Sequence, residues 1–367
     1  MSQIKPKSEP TVRDQLKKFA LKGAMGFQTI LVYGIGTRLG IFEYLYEKGK
    51  SVSESEKVSS VSFTLDELAQ KLKLNTRYLD AWLHIALECG IFEIDESCTR
   101  CLKTASHVYD ILINRDSMFY AGGTLNCILV MAKHQETMIE NFKTGEVKIF
   151  TEVYEEAPED NRMGQSATAT AAPQIEAIFS KYCKEHKRTL RKGGFLLEAG
   201  CGYGYNLAIW AKTYKKARIV GIDIDPHAVA FTKELVAKNN WNDRIEILHV
   251  PIDEYAASNK NKFDVIMLNQ VLHEMDPDDN YRRGVFEDLY SMLKEGGLLM
   301  VIEHMIPDLF APKDRFLFFE IWHKFLEVGF NSKFYNEQEF QAFVKTTPFK
   351  SVELIKERND YFWALTK

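Results

Sequence analysis

Three glycines at alternate positions, Gly200, Gly202 and Gly204, follow directly on an apolar run that ends in Glu198. Glycine takes the left-handed backbone of a tight turn and lets a ligand approach the main chain closely. The flanking carboxylate restricts which ligand that is. A pyrophosphate on a helix N-terminus would be repelled by Glu198, and the spacing here is G-x-G-x-G, whereas dinucleotide sites use G-x-G-x-x-G. No G-K-[ST] follows, which excludes a phosphate-binding P-loop. Asp223 ends the next apolar run, "ARIVGID", 23 residues after Gly200. An acidic residue about 20 positions on is placed to bind a ribose hydroxyl. The two features ask for a ligand that bears a ribose, carries positive charge and lacks phosphate. S-adenosylmethionine has all three properties.

These residues need a scaffold that brings strand ends together. From Gly194 onward, apolar strands ("FLLEAG", "ARIVGID", "RIEILHV", "FDVIMLNQ", "GLLMVIEHM") alternate with helical stretches such as "YNLAIWAKTYK" and "HAVAFTKELVAKNN". Strand–helix alternation at this spacing predicts a doubly wound, Rossmann-like, mostly parallel α/β sheet of seven strands. Ligands of such sheets bind outside the carboxyl ends of the strands, where the glycines fall. The closing "PFKSVELIKERNDYFWALTK" reads as two strands and a turn, an antiparallel pair at the sheet edge.

The N-terminal third is mainly α-helical. Residues 11 to 48 carry helical patterning, and "KSVSESEKVSS" is a polar linker. Thr64 with Glu67 forms a capping-box pattern, Asn75 opens a second helix, and Gly90 stops it. With the hairpin "IFEIDESCTRCLKT", this is a winged helix-turn-helix pattern. Between Phe63 and Ala105 five basic residues (Lys71, Lys73, Arg77, Arg100, Lys103) face seven acidic ones (Asp66, Glu67, Asp80, Glu88, Glu93, Asp95, Glu96). Phosphate contacts need cations, so packing or dimerisation is favoured over DNA binding. Residues 106 to 190 read as mostly helical, with a polar break at "EEAPEDNRMGQ". The expected organisation is 1–110 as a helical, winged-helix dimerisation domain, 111–190 as a helical connector contributing to the acceptor pocket, and 191–367 as the cofactor-binding catalytic domain.

Composition sets outer limits. Of 367 residues, 46% are hydrophobic and 27% charged, an ordinary globular balance, and the net charge of −4 argues against a nucleic-acid partner. No run reaches the ~20 apolar residues of a membrane span, and the polar N-terminus lacks a signal-peptide core, so a cytoplasmic protein without a membrane partner is expected. Six cysteines show no disulfide framework. The lone Cys98-Thr-Arg-Cys101 lacks a second ligand pair for zinc, so free thiols and no metal are expected.

Residues 194 to 306 resemble a class I S-adenosylmethionine-dependent methyltransferase. The first motif of that family is matched by "EAGCGYG", which implies cofactor contacts from Glu198, Gly200, Cys201, Gly202 and Gly204. The second is matched by "GIDIDP", implying Asp223 and Ile224. The third is looser in "HVPIDEY", where the resemblance puts the adenine contact at Ile252 or Asp253. The fourth, "FDVIMLNQVLHEM", adds Asn269. Over most of the chain the similarity narrows to small-molecule O-methyltransferases of the kind that modify phenols and polyketides, which dimerise through an N-terminal winged-helix domain. The resemblance implies a homodimer, a small and aromatic hydroxyl acceptor, His273 of "LHEM" as general base, and Glu303 of "VIEHMIPD" as the carboxylate that orients it. The family's second acidic position aligns with Phe334, which leaves the histidine one carboxylate helper. Met163, Phe316, Phe319, Trp322 and His323 are the expected acceptor contacts. Two other readings share the cofactor: N- or C-methylation of a protein, RNA or other small molecule, and a cofactor-binding regulator without transferase activity.

Overall fold

A computed structural model describes residues 10–52, 60–115, 117, 119–148, 155–311, 317–357 and 360–367. The chain divides into two compact units, Met1–Leu129 and Val130–Lys367.

The first unit is helical with a small sheet. The Thr64 side chain accepts from the Glu67 N–H while the Glu67 carboxylate accepts from Thr64, and this reciprocal cap starts helix Leu65–Leu72. Asn75 caps helix Thr76–Glu88 through the N–H groups of Arg77 and Tyr78. Strands β1 (Ser62–Thr64), β2 (Phe92–Asp95) and β3 (Cys101–Thr104) pair antiparallel in the order β1-β3-β2. Tyr33, Phe42, Phe63, Trp82 and Phe92 fill the centre, and the Trp82 indole donates to the Val32 carbonyl at 3.1 Å, so its one polar atom is satisfied. Cys98 and Cys101 are joined as a disulfide in the turn between β2 and β3. Free thiols were expected; the hairpin turn brings the two Cα atoms to 5.4 Å, within disulfide reach.

The second unit is built on the seven-stranded sheet. Strands β4 (Phe195–Ala199), β5 (Arg218–Asp223), β6 (Ile245–His249), β7 (Phe263–Asn269) and β8 (Leu293–Ile302) run parallel. Strands β9 (Ser351–Glu357) and β10 (Asp360–Thr366) close one edge antiparallel, giving the order β6-β5-β4-β7-β8-β10-β9. Leu196, Leu197, Val265, Ile266, Leu299 and Met300 are buried from both sides, as strands covered by helices on each face require. The order reverses between β4 and β7, so the crevice at the switch point opens beyond Ala199 and Asn269. Residues 155–165, read from sequence as a polar break, are largely helical. Pro158 opens helix Pro158–Gln165 with Glu159 and Asp160 in its first turn, favourable chemistry for a helix start that outweighs the lack of an apolar face.

Candidate active site

The carboxyl ends of four parallel strands place the chemistry. After β4 the chain turns sharply: Gly200, Gly202 and Gly204 all have positive φ, at 72°, 47° and 71°. The N–H groups of Gly200 and Cys201 donate to the Ile222 carbonyl at 2.9 and 3.0 Å, pinning the loop against β5. A Cβ on Gly200 would lie 2.6 Å from the Val271 side chain, and one on Gly204 would lie 2.7 Å from Thr232. Left-handed backbone and lack of room both demand glycine there.

Glu198 is buried, and its Oε1 accepts from the Asn206 amide at 3.1 Å while Oε2 has no hydrogen-bond partner. Burial pushes its carboxyl up to about 8; the Asn206 bond opposes this and nearby Asp223 adds to it. Asp223 at the end of β5 accepts from the N–H of Gly202 at 2.7 Å and of Asp225 at 2.8 Å, so the carboxylate itself shapes the glycine loop. Burial raises its pKa despite those two bonds. Asn269 ends β7, buried, with neither amide atom partnered. A buried polar group without a partner costs free energy, and a Glu198 oxygen and an Asn269 amide left open at one sheet edge fit an ammonium-bearing ligand with polar ends. Ile224 follows β5 half-exposed, and Ile252 and Asp253 begin helix Ile252–Ser258 just beyond β6.

Across the switch point, a tight turn over Leu272–Glu274 follows β7 and carries His273, which is 2% exposed. Glu303 leaves the end of β8 and accepts twice: from the Leu272 N–H at Oε1, 2.8 Å, and from His273 Nδ1 at Oε2, 2.8 Å. This fixes the proton of the imidazole on Nδ1 and aims Nε2 away from Glu303. Phe334 stacks on the ring at 4.5 Å.

The single-carboxylate expectation is corrected here. Glu327, at the end of helix Phe318–Glu327, places Oε2 2.9 Å from His273 Nε2 and its Oε1 2.6 Å from His323 Nε2. The second acid comes from a helix one turn after His323, where an alignment around Phe334 does not look; the spacing H-K-F-L-E was its only signal. Burial disfavours the imidazolium, but Glu303 and Glu327 outweigh it and hold His273 well above the usual histidine range. His304 lies beside this group and is driven well below its ordinary value, by burial first and then by His323 and His273.

A recess lined by Leu272, His273, Glu303, His304, Lys333 and Phe334 meets this cluster and is too narrow for a water-sized molecule. Buried Arg282 fixes its floor: its guanidinium donates to the carbonyls of Asp276 at 2.9 Å, Met275 at 3.0 Å and Lys333 at 3.2 Å. Of the expected acceptor contacts, His323 joins the cluster. Trp322 on the same helix and Met163 on helix Pro158–Gln165 are partly buried, and Phe319 is 51% exposed. Phe316 lies outside the described residues.

A family model described as "Methyltransferase domain" matches residues 197–299, the span from β4 to β8. The chain is 29% identical over 123 residues to erythromycin 3''-O-methyltransferase of Saccharopolyspora erythraea, covering 34% of this chain and 39% of that protein. It is 32% identical over 127 residues to carboxy-S-adenosyl-L-methionine synthase of Chromohalobacter salexigens, covering 33% and 44%. The chain thus spans less than half the length of these curated relatives. Among solved structures, human N-acetylserotonin methyltransferase in complex with SAM superposes with a TM-score of 0.63 at 14% identity, over 98% of this chain and 99% of that one. Mitomycin 7-O-methyltransferase MmcR gives 0.61 at 16% identity, over 97% and 98%. The fold is that of the class I methyltransferases, extended to the whole chain.

Proposed function

We propose that this protein is an S-adenosylmethionine-dependent methyltransferase acting on a hydroxyl of a small, aromatic acceptor. The observation that carries the reading is one sheet edge holding two things side by side. One is a glycine loop flanked by Glu198 and Asp223; the other is an imidazole clamped by Glu303. When bound, S-adenosylmethionine supplies a methyl carbon activated by its sulfonium. Glu198 and Asn269 offer unpartnered oxygen and amide atoms to its amino-acid end, and Asp223 offers its remaining lone pairs to the ribose. Cys201, Ile224, Ile252 and Asp253 flank the adenosine end in this reading.

A phenol, pKa ~10, is mostly un-ionised at neutral pH. In this reading the neutral form of His273, flanked by Glu303 and by Glu327 Oε2 at 2.9 Å, takes the acceptor proton, so turnover rises with pH as the imidazolium that the two carboxylates favour loses its proton. General-base help of this kind is worth roughly 10²–10⁴-fold, and alignment of the acceptor oxygen supplies a further share. Met163, Phe319, Trp322 and His323 line the acceptor side in this reading.

The helix pair and three-stranded sheet of the first unit support a winged-helix dimerisation module. Phe19, Leu21, Met25, Phe27 and Leu31, exposed on its first helices, are its natural contact surface. Among the described residues no helix is long and apolar enough to cross a membrane.

Calorimetry with S-adenosylmethionine and S-adenosylhomocysteine, then product detection against a panel of phenols, tests the reading. His273→Ala should keep cofactor affinity within about threefold and lower turnover at least ~100-fold. Unchanged turnover in that variant would remove His273 from the chemistry; absence of cofactor binding by the wild type would remove the methyltransferase reading altogether.

A further inference from the structure

We infer that His323 is a positioning residue for the proposed base: by holding one oxygen of Glu327 it weakens that carboxylate's hold on the proton of His273, and so sets the pH above which the site turns over. Its meaning for catalysis rests on the methyltransferase reading.

One carboxylate serves two imidazoles. Glu327 Oε2 lies 2.9 Å from His273 Nε2, and Oε1 accepts from His323 Nε2 at 2.6 Å. The Ser332 hydroxyl adds a bond to Oε2 at 3.2 Å. His323 stands one turn before Glu327 on the same helix, so the two side chains meet on one face. Its ring is fixed from three sides, edge-on to His273 at 4.9 Å, to His304 at 5.0 Å and to Phe334 at 5.6 Å.

The sign follows from charge. Burial works against the Glu327 carboxylate, yet His323 and then His273 hold it below the usual carboxylate range. While His273 is protonated, that ion pair supports Glu327 and the bond from His323 counts for less. Once His273 is neutral, Glu327 is a buried charge whose support comes from His323 and Ser332. A hydrogen bond to a charged form favours it, so His323 stabilises the neutral-base state more than the protonated one. His273 therefore gives up its proton at lower pH than Glu303 and Glu327 alone would allow.

The other charged groups around His273 are untouched by a substitution at position 323. Glu303 takes Nδ1 from the end of β8, Lys333 is paired with Asp279 at 2.7 Å, and Arg282 is turned to main-chain carbonyls. Glu274, on the same turn as His273, is pushed well above the carboxylate range by burial and then by Glu327. His304 is driven well below the usual histidine range.

The test reads His273 twice in the full-length protein. Its ring signals, assigned by their loss in His273→Gln, are titrated by ¹⁵N NMR without any ligand, and kcat/KM for a phenol is followed separately against pH. His323→Leu should raise the NMR midpoint and the ascending limb of kcat/KM by about one pH unit, the size of one hydrogen bond to a charged group. On that limb the variant is then ~10-fold slow, and at higher pH it returns to near the wild-type rate, which loss of an acceptor contact would not do. His323→Gln keeps an N–H donor and should shift the midpoint less. Glu327→Gln should lower it, and adding His323→Leu to Glu327→Gln should give no further shift. An unmoved midpoint in folded His323→Leu, or a shift that persists once Glu327 is replaced, overturns the inference. A protein that shows these NMR shifts but neither binds S-adenosylmethionine nor methylates supports the role of His323 and removes the methyltransferase reading.

Discussion

At the scale of single residues, Glu198 carries the clearest trade of stability for binding. Its folded-state value of about 8 stands above the ordinary glutamate value of ~4.3, so the fold prefers the protonated form. Such a group stabilises the fold fully below the unfolded value and loses that contribution as pH rises toward the folded one. Glu198→Gln is therefore expected to melt higher than the wild type at pH 8, by an amount on the order of 3 kcal/mol, and close to it at pH 4. The same variant should bind S-adenosylmethionine at least ~100-fold more weakly. Wild-type affinity for that cation should tighten from pH 6 to pH 8 as the carboxylate forms. Thermal scans at the two pH values, run beside calorimetry, check both halves; a variant that melts below the wild type at pH 8 contradicts the assignment. The acids at strand ends were legible because short-range spacing fixes them. Glu327 was not, because it reaches His273 only through the tertiary placement of the distant helix Phe318–Glu327.

At the scale of elements, the turn after β7 is held in shape by a residue with no role in chemistry. Arg282 is fully buried, and its described hydrogen bonds go to main-chain carbonyls of the segments carrying His273 and Phe334. Arg282→Met keeps much of the bulk and removes the donors. Leaving several buried carbonyls short of a partner should cost about 2–4 kcal/mol and lower turnover more than cofactor affinity. Denaturant unfolding with steady-state kinetics checks this. The five parallel strands and the antiparallel edge could be read from apolar runs because strands buried on both faces need them. Helix Pro158–Gln165 could not: five of its eight residues are polar or charged, and only its N-terminal chemistry marks it as helical.

At the scale of the molecule, the two compact units divide the work, the first offering apolar surface and the second the strand-end site. Phe19→Glu with Met25→Glu should convert a dimer to monomer in sedimentation at micromolar concentration, leaving the intrinsic cofactor affinity of the second unit intact. A wild-type monomer under the same conditions would end the dimer reading. The caps of helices Leu65–Leu72 and Thr76–Glu88 and the hairpin of β2 and β3 were legible in the sequence; the joined Cys98 and Cys101 were not, because pairing depends on a turn that spacing alone does not impose.

The missing side chain of Gly200 has a further consequence. Its space is taken by Val271, two residues before His273, so the floor of the proposed nucleoside site and the hinge of the imidazole are a single piece of packing. Settling of the first ligand is thereby felt at the seat of the second. On the proposed reading, catalysis should follow a compulsory order, nucleoside on first and off last, with S-adenosylhomocysteine competitive against S-adenosylmethionine and noncompetitive against the acceptor. Gly200→Ala, by wedging the valine aside, should erase that order before it erases affinity for the acceptor.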